Sequence, residues 1–580
     1  MSNGTQSKKP WSPFRIDRKA TLARAVRTKR TRALPNSSKP SRAGLKGPSQ
    51  LFAVEARHAS VAEALRRDPD SLPQIDREKL VAARALRPDL KRFHGLKIPL
   101  AWFPWWRWRT PCSDKFGYIS SKATRTSTKL PFNAATLAAL DQLGEFMADP
   151  SRGPGPESTI PAGYTYFGQF VDHDVTLDVS SRLDLEQDAT TINNMRSPAL
   201  DLDSVYGQGP AVDAFLYVFP TAGPPTAVKL LIGTNQNVGV GGPGSGDGTG
   251  PMSVQLGSDL PRAPTTHTAL LGDPRNDENL IVSQFHHAMA KFHNKVVDGL
   301  VAAGFSGDVF VEAKRMVTHH YQWAIMHDFL KRICGQPAVT AALASVTAAK
   351  GSAFAMPVEF AVAAYRFGHS MIREQYWLNA ALKFKPMSDV FAFIRNPLLP
   401  LFSNWVIDFN AFFKTGFNVA VFNNASQIDS VLAPALDTLP GFSGMMAILA
   451  KRNLVRAVAL GLPSGQGMAA HYGLTPLTPA ELKQGLLAGE AALLDASSGL
   501  LLNKTPLWYY VLREAKVKGG GNQLGPVGGR IVAETFVRML RRDADSYLNT
   551  SSAFVPSLAA AAPGDFTVAD LVNFSGVTVP

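Results

Sequence analysis

Four short segments carry residue types and spacings that could do chemistry. The first runs Phe167-Gly168-Gln169-Phe170-Val171-Asp172-His173-Asp174. A His between two Asp in an apolar setting is costly to bury without a task. On a helix, Gln169 and His173 are i,i+4 neighbours on one face. Asp174 points about a quarter-turn away and can serve a different site. By itself the triplet reads as a metal-ligand set or as a hydrogen-bonded core cluster. The second segment is Glu359-Phe360-Ala361-Val362-Ala363-Ala364-Tyr365-Arg366-Phe367-Gly368-His369-Ser370, an apolar helix with Arg366 and His369 at i,i+3. Gly368 beside His369 removes bulk and permits close approach. A lone His on such a helix is more often a satisfied core residue, yet a neutral imidazole offered this way also binds haem iron.

The third segment, Leu271-Gly272-Asp273-Pro274-Arg275-Asn276-Asp277-Glu278-Asn279, is a turn leading into a helix that runs through His286, His287 and His293. Asp277 and Glu278 read as dipole complements of a first helical turn. That does not explain Arg275, a cation at the unfavourable end. The fourth is Arg196-Ser197-Pro198-Ala199-Leu200-Asp201-Leu202-Asp203-Ser204-Val205-Tyr206-Gly207. Oxygen-bearing Ser197, Asp201 and Asp203 at alternating positions, with a backbone carbonyl between them, can wrap a hard cation.

Helices must position these residues. Apolar residues recur at helical spacing over Leu137–Met147, Leu280–Val297, Val311–Leu330, Phe360–Ile372, Met445–Leu460 and Ile531–Leu540. Strand-like alternation is scarce, and no internal repeat is present. Residues 237–250 are Gly-rich and read as a flexible surface loop. No GK[ST] follows them, so they are not a phosphate loop. The expected architecture is mainly α: one large domain with long loops and little β.

Composition excludes several classes. The 580 residues are 45% hydrophobic, too apolar for a disordered protein. Two Cys, Cys112 and Cys334, cannot staple a disulfide scaffold, and no CxxC offers a structural zinc site. No run approaches the roughly 18 apolar residues of a membrane span. The formal charge is +14, but residues 1–50 alone hold 13 Lys and Arg against Asp17. That Pro-rich stretch reads as a disordered basic tail that can dock to an anionic surface. The remainder is close to neutral and gives no reason to expect a nucleic acid as specific partner. The tail has no apolar h-region and does not read as a secretory signal. Residues 51–114 form an arm holding Ala101-Trp102-Phe103-Pro104-Trp105-Trp106-Arg107-Trp108-Arg109. Those rings could stack on bases or lie at a membrane interface, although packing on the main domain is the plainer reading.

Together and in this order, the four segments resemble the animal-type haem peroxidases. This is the peroxidase–cyclooxygenase superfamily that includes myeloperoxidase, peroxidasin and bacterial relatives. The resemblance spans about residues 115–545, with 546–580 as a C-terminal extension. It implies a haem b cofactor and bound Ca2+. By this resemblance His173 would be the distal histidine and Gln169 would bond water or halide in the distal pocket. Arg275 would be the catalytic arginine. Asp172 and Glu278 would be the carboxylates able to form ester links to haem. Asn279 stands where members with a third haem link have Met, so that link should be absent. His369 would bind the iron, with Arg366 at the haem edge. Asn453-Leu454-Val455-Arg456 resembles the family's Asn-x-x-Arg. Asn453 would hold His369 and Arg456 would pair with a haem propionate. Here Ala457 to Gly461 follow instead of the metazoan Asp-His-Gly. Asp174, Ser197, the Ala199 carbonyl, Asp201 and Asp203 would hold calcium.

The implied function is reduction of hydrogen peroxide and, through a ferryl intermediate, oxidation of small organic donors or halides. Such an enzyme suits the response to oxidative stress. Two alternatives stay open. One is a fatty-acid dioxygenase of the same superfamily, which would use a Tyr three residues before the proximal His; Arg366 stands there. The other is an adhesive, peroxinectin-like protein on a peroxidase scaffold. Non-classical export and a cytoplasmic home both remain compatible with the sequence.

Overall fold

The computed structural model describes residues 115–578, apart from 154, 237–256, 349, 393–399, 438 and 440–446. The basic tail, the Trp/Arg arm, Cys112 and the Gly-rich loop lie outside the described residues. Helices dominate, as the periodicity predicts. Strands occur only as short pairs among the described residues. Phe116–Gly117 (β1) runs parallel to Met356–Pro357 (β3). Glu157–Pro161 (β2) runs antiparallel to Asn424–Ser426 (β4).

The principal helices are Ala134–Met147 (α1), Gly163–Val175 (α2), Leu280–Ala302 (α3), Val309–Ala324 (α4), Leu449–Ala459 (α5), Leu507–Gly519 (α6), Pro526–Arg542 (α7) and Val568–Ser575 (α8). α2 is the hub. All of its residues except Gln169 are buried. Phe167 and Phe170 project onto α3 and α4, with ring centroids 5.5 and 5.2 Å from Phe285 and 6.1 and 6.2 Å from Tyr321. Each such ring contributes about 1.5–3 kcal/mol of burial. The start of α2 is pressed onto the chain at residues 412–413, where the Gly163 N–H donates to the Phe412 carbonyl at 3.0 Å. A Cβ on Gly163 would sit 2.6 Å from that oxygen, so only glycine permits this approach.

α3 is capped by Asn279, whose side chain accepts from the N–H groups of Ile281 and Val282. The stretch before it, Pro274–Asp277, is a 3-10 turn rather than the first turn of the helix. Asp277 and Glu278 therefore precede the cap and do not serve as first-turn dipole complements. α4 runs on through a π-turn at Ile325–Phe329 into a further helical turn, Leu330–Cys334. Buried Cys334 is a thiol.

The segment around His369 departs from the helix expected there. Glu359–Ala363 is a π-turn and Ala364–Met371 a 3-10 helix, with Ala363 kinked at φ −127°, ψ −76°. Side chains have taken over carbonyls that a regular helix would use. Arg366 Nε donates to the Ala361 carbonyl at 2.8 Å, and Trp508 Nε1 on α6 donates to the Arg366 carbonyl at 3.1 Å. α5 packs on α1, α7 supports the His369 segment through Phe536, and α8 closes over α3. No helix among the described residues is long and apolar enough to cross a membrane.

Candidate functional site

Three clusters emerge, joined through α2. The first gathers His173, Gln169, Arg275 and Glu278. Nδ1 of His173 lies 2.9 Å from Oδ1 of Asn276, and Nε2 lies 3.4 Å from Glu278 Oε1. Gln169 Nε2 donates to the same Glu278 oxygen, and Gln169 Oε1 accepts from Asn279 Nδ2 at 3.1 Å. Asn279 thus orients Gln169 as well as capping α3. Arg275 is buried, and its Nη2 donates to Asp273 at 2.8 Å and to the His173 carbonyl at 3.0 Å. The guanidinium is locked to the helix that bears His173.

Asp273 is shared. Arg196 Nε reaches it at 2.6 Å from the other side. Burial pushes the Asp273 carboxyl up, but Arg196 and Arg275 outweigh burial and hold it well below the usual carboxylate range. Behind this turn, Arg262 grips Asp277 at 2.8 Å and Asp259 at 2.9 Å.

The second cluster surrounds His369. The Asn453 amide lies 2.9 Å from Nδ1 of His369. The amide nitrogen faces the ring. Turned by 180°, Oδ1 would accept Nδ1–H and leave the Nε2 lone pair for a metal. Burial, then Arg366 and Arg452, hold the imidazole neutral, as a metal ligand must be. Arg366 Nη1 lies 3.6 Å from Asp172 Oδ2, which ties this segment to α2. Asp172 also accepts from Thr176 Oγ1 at 2.7 Å. Arg456 faces Asp178 at 3.8 Å. Burial lowers Arg452 to about 9, with Arg456 and Arg366 adding repulsion. The charge of Glu278, from the His173 side, also acts on Arg452.

These residues fit a haem. A Cβ built on Gly368 would meet nothing within 4 Å, so the chain beside His369 borders open space. A neutral imidazole borders that space, and three guanidiniums that repel one another suit the two carboxylates of the cofactor.

The third cluster is acidic. Asp174 from α2 meets Asp201 and Asp203, with carboxylate oxygens all within 4.8 Å of one another. Burial, then Asp203 and Asp201, push the Asp174 carboxyl far up. Burial is also what pushes Asp203 up to about 6, against Arg196 at 2.9 Å. Between the two loop aspartates, Leu202 adopts φ 59°, a left-handed conformation strained for Leu. Ser197 donates its N–H to Asp203 at 3.4 Å, and Ala199 lies half-buried in the same loop. An all-oxygen donor set under mutual repulsion fits a hard divalent cation.

Several residues at these clusters escaped sequence reasoning: Asn276, His286, Asp273, Arg196 and Arg452. Only Arg452 had a readable signal, its i,i+4 spacing from Arg456 on the helix that carries Asn453.

Comparison with known proteins adds the following. The family model for animal haem peroxidases matches residues 183–557, beyond the His173 segment. No curated protein sequence matches the chain. Among solved structures, peroxidase A from Dictyostelium discoideum aligns at 15% identity, covering 75% of this chain and 86% of that one with TM-score 0.49. A fatty acid alpha-dioxygenase from Oryza sativa aligns at 14% identity, covering 67% and 70% with TM-score 0.48. One from Arabidopsis thaliana aligns at 14% identity, covering 67% of each with TM-score 0.47. With the family model matched over more than half its length, the chain belongs to the animal haem peroxidase family.

Proposed function

We propose that the protein is a haem-dependent peroxidase that reduces hydrogen peroxide and oxidises small organic donors or halides. Haem iron, when bound, supplies the centre at which the peroxide O–O bond is cleaved and oxidising equivalents are stored. The chain's own residues do the rest. His173 has its proton on Nδ1, so its Nε2 lone pair can take a proton from one peroxide oxygen and return it to the departing one. Arg275 has Nε and Nη2 turned to Asp273 and the His173 carbonyl. Its Nη1 edge stabilises the negative charge that develops as the bond breaks. Gln169 and Glu278 orient the water or donor beside His173. His369 holds the iron, oriented by Asn453, and Arg366, Arg452 and Arg456 bind the haem carboxylates. Asp174, Ser197, the Ala199 carbonyl, Asp201 and Asp203 hold calcium.

The setting of position 366 carries the choice over a fatty-acid dioxygenase. Arg366 stands where that chemistry places its Tyr. The neighbouring Tyr365 is buried in an aromatic cluster, stacked on Phe360 at 4.6 Å and set against Phe536 at 5.5 Å. His173→Ala should slow peroxide cleavage by orders of magnitude with haem retained, whereas His369→Ala should lose the Soret band. Oxygen uptake with an unsaturated fatty acid and no added peroxide would establish the dioxygenase instead.

Asp172 and Glu278 are the carboxylates proposed for ester links to haem. Acid–organic extraction should leave haem on the wild-type chain and release it from a D172N/E278Q double variant. Complete extraction from the wild type removes the ester proposal alone.

A further inference from the structure

Asn276 stands between two buried imidazoles. It is fully buried, His173 is 1% exposed and His286 is 4% exposed. An amide oxygen only accepts and an amide nitrogen only donates. Once the amide's orientation is set, each contact fixes a proton. Oδ1 of Asn276 lies 2.9 Å from Nδ1 of His173, so that ring carries its proton on Nδ1 and its lone pair on Nε2. Nδ2 of Asn276 lies 3.0 Å from Nδ1 of His286, which must offer a lone pair there. Turning the amide over would reverse both. The His173 proton would then sit on Nε2, and the ring would present no base to a peroxide.

We infer that Asn276 and His286 are positioning residues that set the tautomer of His173, keeping its Nε2 lone pair on the peroxide side. The inference rests on the reading of His173 as proton acceptor. The pair is well placed for this task. Asn276 belongs to the 3-10 turn that bears Arg275, and its N–H donates to the Asp273 carbonyl at 3.1 Å. His286 is nearly two turns into α3, edge-on to Phe170 with ring centroids 6.3 Å apart. Burial, then His287, keeps the His286 ring neutral by lowering its pKa to about 3. A neutral ring with its Nδ1 lone pair toward the amide accepts from Nδ2 and turns Oδ1 to His173.

Cyanide binding to the ferric holoenzyme tests this without turnover. Hydrogen cyanide gives up its proton as it binds, so its association rate reports a base on the peroxide side. Asn276→Leu should slow that rate at neutral pH by about tenfold or more, the usual effect of losing such a partner. It should also shift the pH profile while haem content and Soret position hold. His286→Leu should slow the rate as well. His286→Asn puts a carbonyl oxygen where Nδ1 stood and should restore most of the loss. The two His286 variants leave every His173 contact in place and decide the matter even if Asn276→Leu fails to fold. A wild-type rate in Asn276→Leu, or equal rates in the two His286 variants, overturns the inference. His173→Ala separates the two readings. If it leaves cyanide binding unchanged, His173 is not the base and both readings fall. If it slows binding while His286→Leu does not, only the tautomer inference falls.

Discussion

Asp273 shows most directly how single residues hold this site. Its carboxylate is fully buried between two guanidiniums, one from the acidic loop and one from the turn beside His173. Burying an ion pair yields little net stability, but removing one partner leaves charge without compensation. Asp273→Asn should therefore cost about 3–5 kcal/mol in urea unfolding at neutral pH. The pH dependence follows from the lowered carboxyl. A depressed carboxylate stabilises the fold above its unfolded pKa of about 4 and loses that contribution only as pH falls through the lower folded value. The gap between wild type and variant should persist from pH 7 to pH 4. A gap closed by pH 5 would contradict the assignment. Asp273 stood in plain view in the sequence, two residues before Arg275. Its partner Arg196 lies 77 residues away, a distance over which spacing carries no information. The same holds for Asn276, paired with His173 across 103 residues.

Among elements, the helices were legible and their irregularities were not. The apolar spacing over Leu280–Val297 and Ile531–Leu540 corresponds to α3 and α7. The spacing over Phe360–Ile372 is equally regular, yet that chain folds as a π-turn and a 3-10 helix. Tertiary contacts from Trp508 and the Arg366 side chain decide the local geometry there, and periodicity cannot register them. The seam between the acidic loop and the Arg275 turn is equally invisible. It closes at Gly272, where a Cβ would lie 2.6 Å from the Ser204 carbonyl and 2.7 Å from that of Asp203. Gly272→Ala should force the two segments apart and cost about 1–3 kcal/mol, as overpacking does. It should weaken calcium binding and slow the peroxide reaction together, because both segments meet there. Titration calorimetry with calcium and single-turnover kinetics check this; a loss confined to one readout would show that the seam does not couple them.

At the scale of the whole molecule, the acidic cluster is where α2 meets the long loop before α3. Burial and the mutual repulsion of charged carboxylates push Asp174 and Asp203 up there, so the apo fold resists holding all three groups charged. A bound cation removes that repulsion and stabilises by mass action, about 3 kcal/mol at a hundredfold excess over its Kd. Chelation with EGTA should lower Tm by several degrees and calcium should restore it; an unchanged Tm would show that calcium is not a structural ligand. The far end of the chain bears on the same interior. Phe292 on α3 is stacked on Phe566 at 5.9 Å and met edge-on by Phe574 of α8 at 5.4 Å. α3 also bears His286 and follows directly on the Arg275 turn. During synthesis α3 emerges from the ribosome long before the residues that cover it. Until they arrive, its apolar flank is exposed to chaperones and to neighbouring nascent chains. Prompt delivery of residues 566–575 is thus a condition for escaping aggregation, and premature termination before Phe566 makes a species for the quality-control machinery to remove.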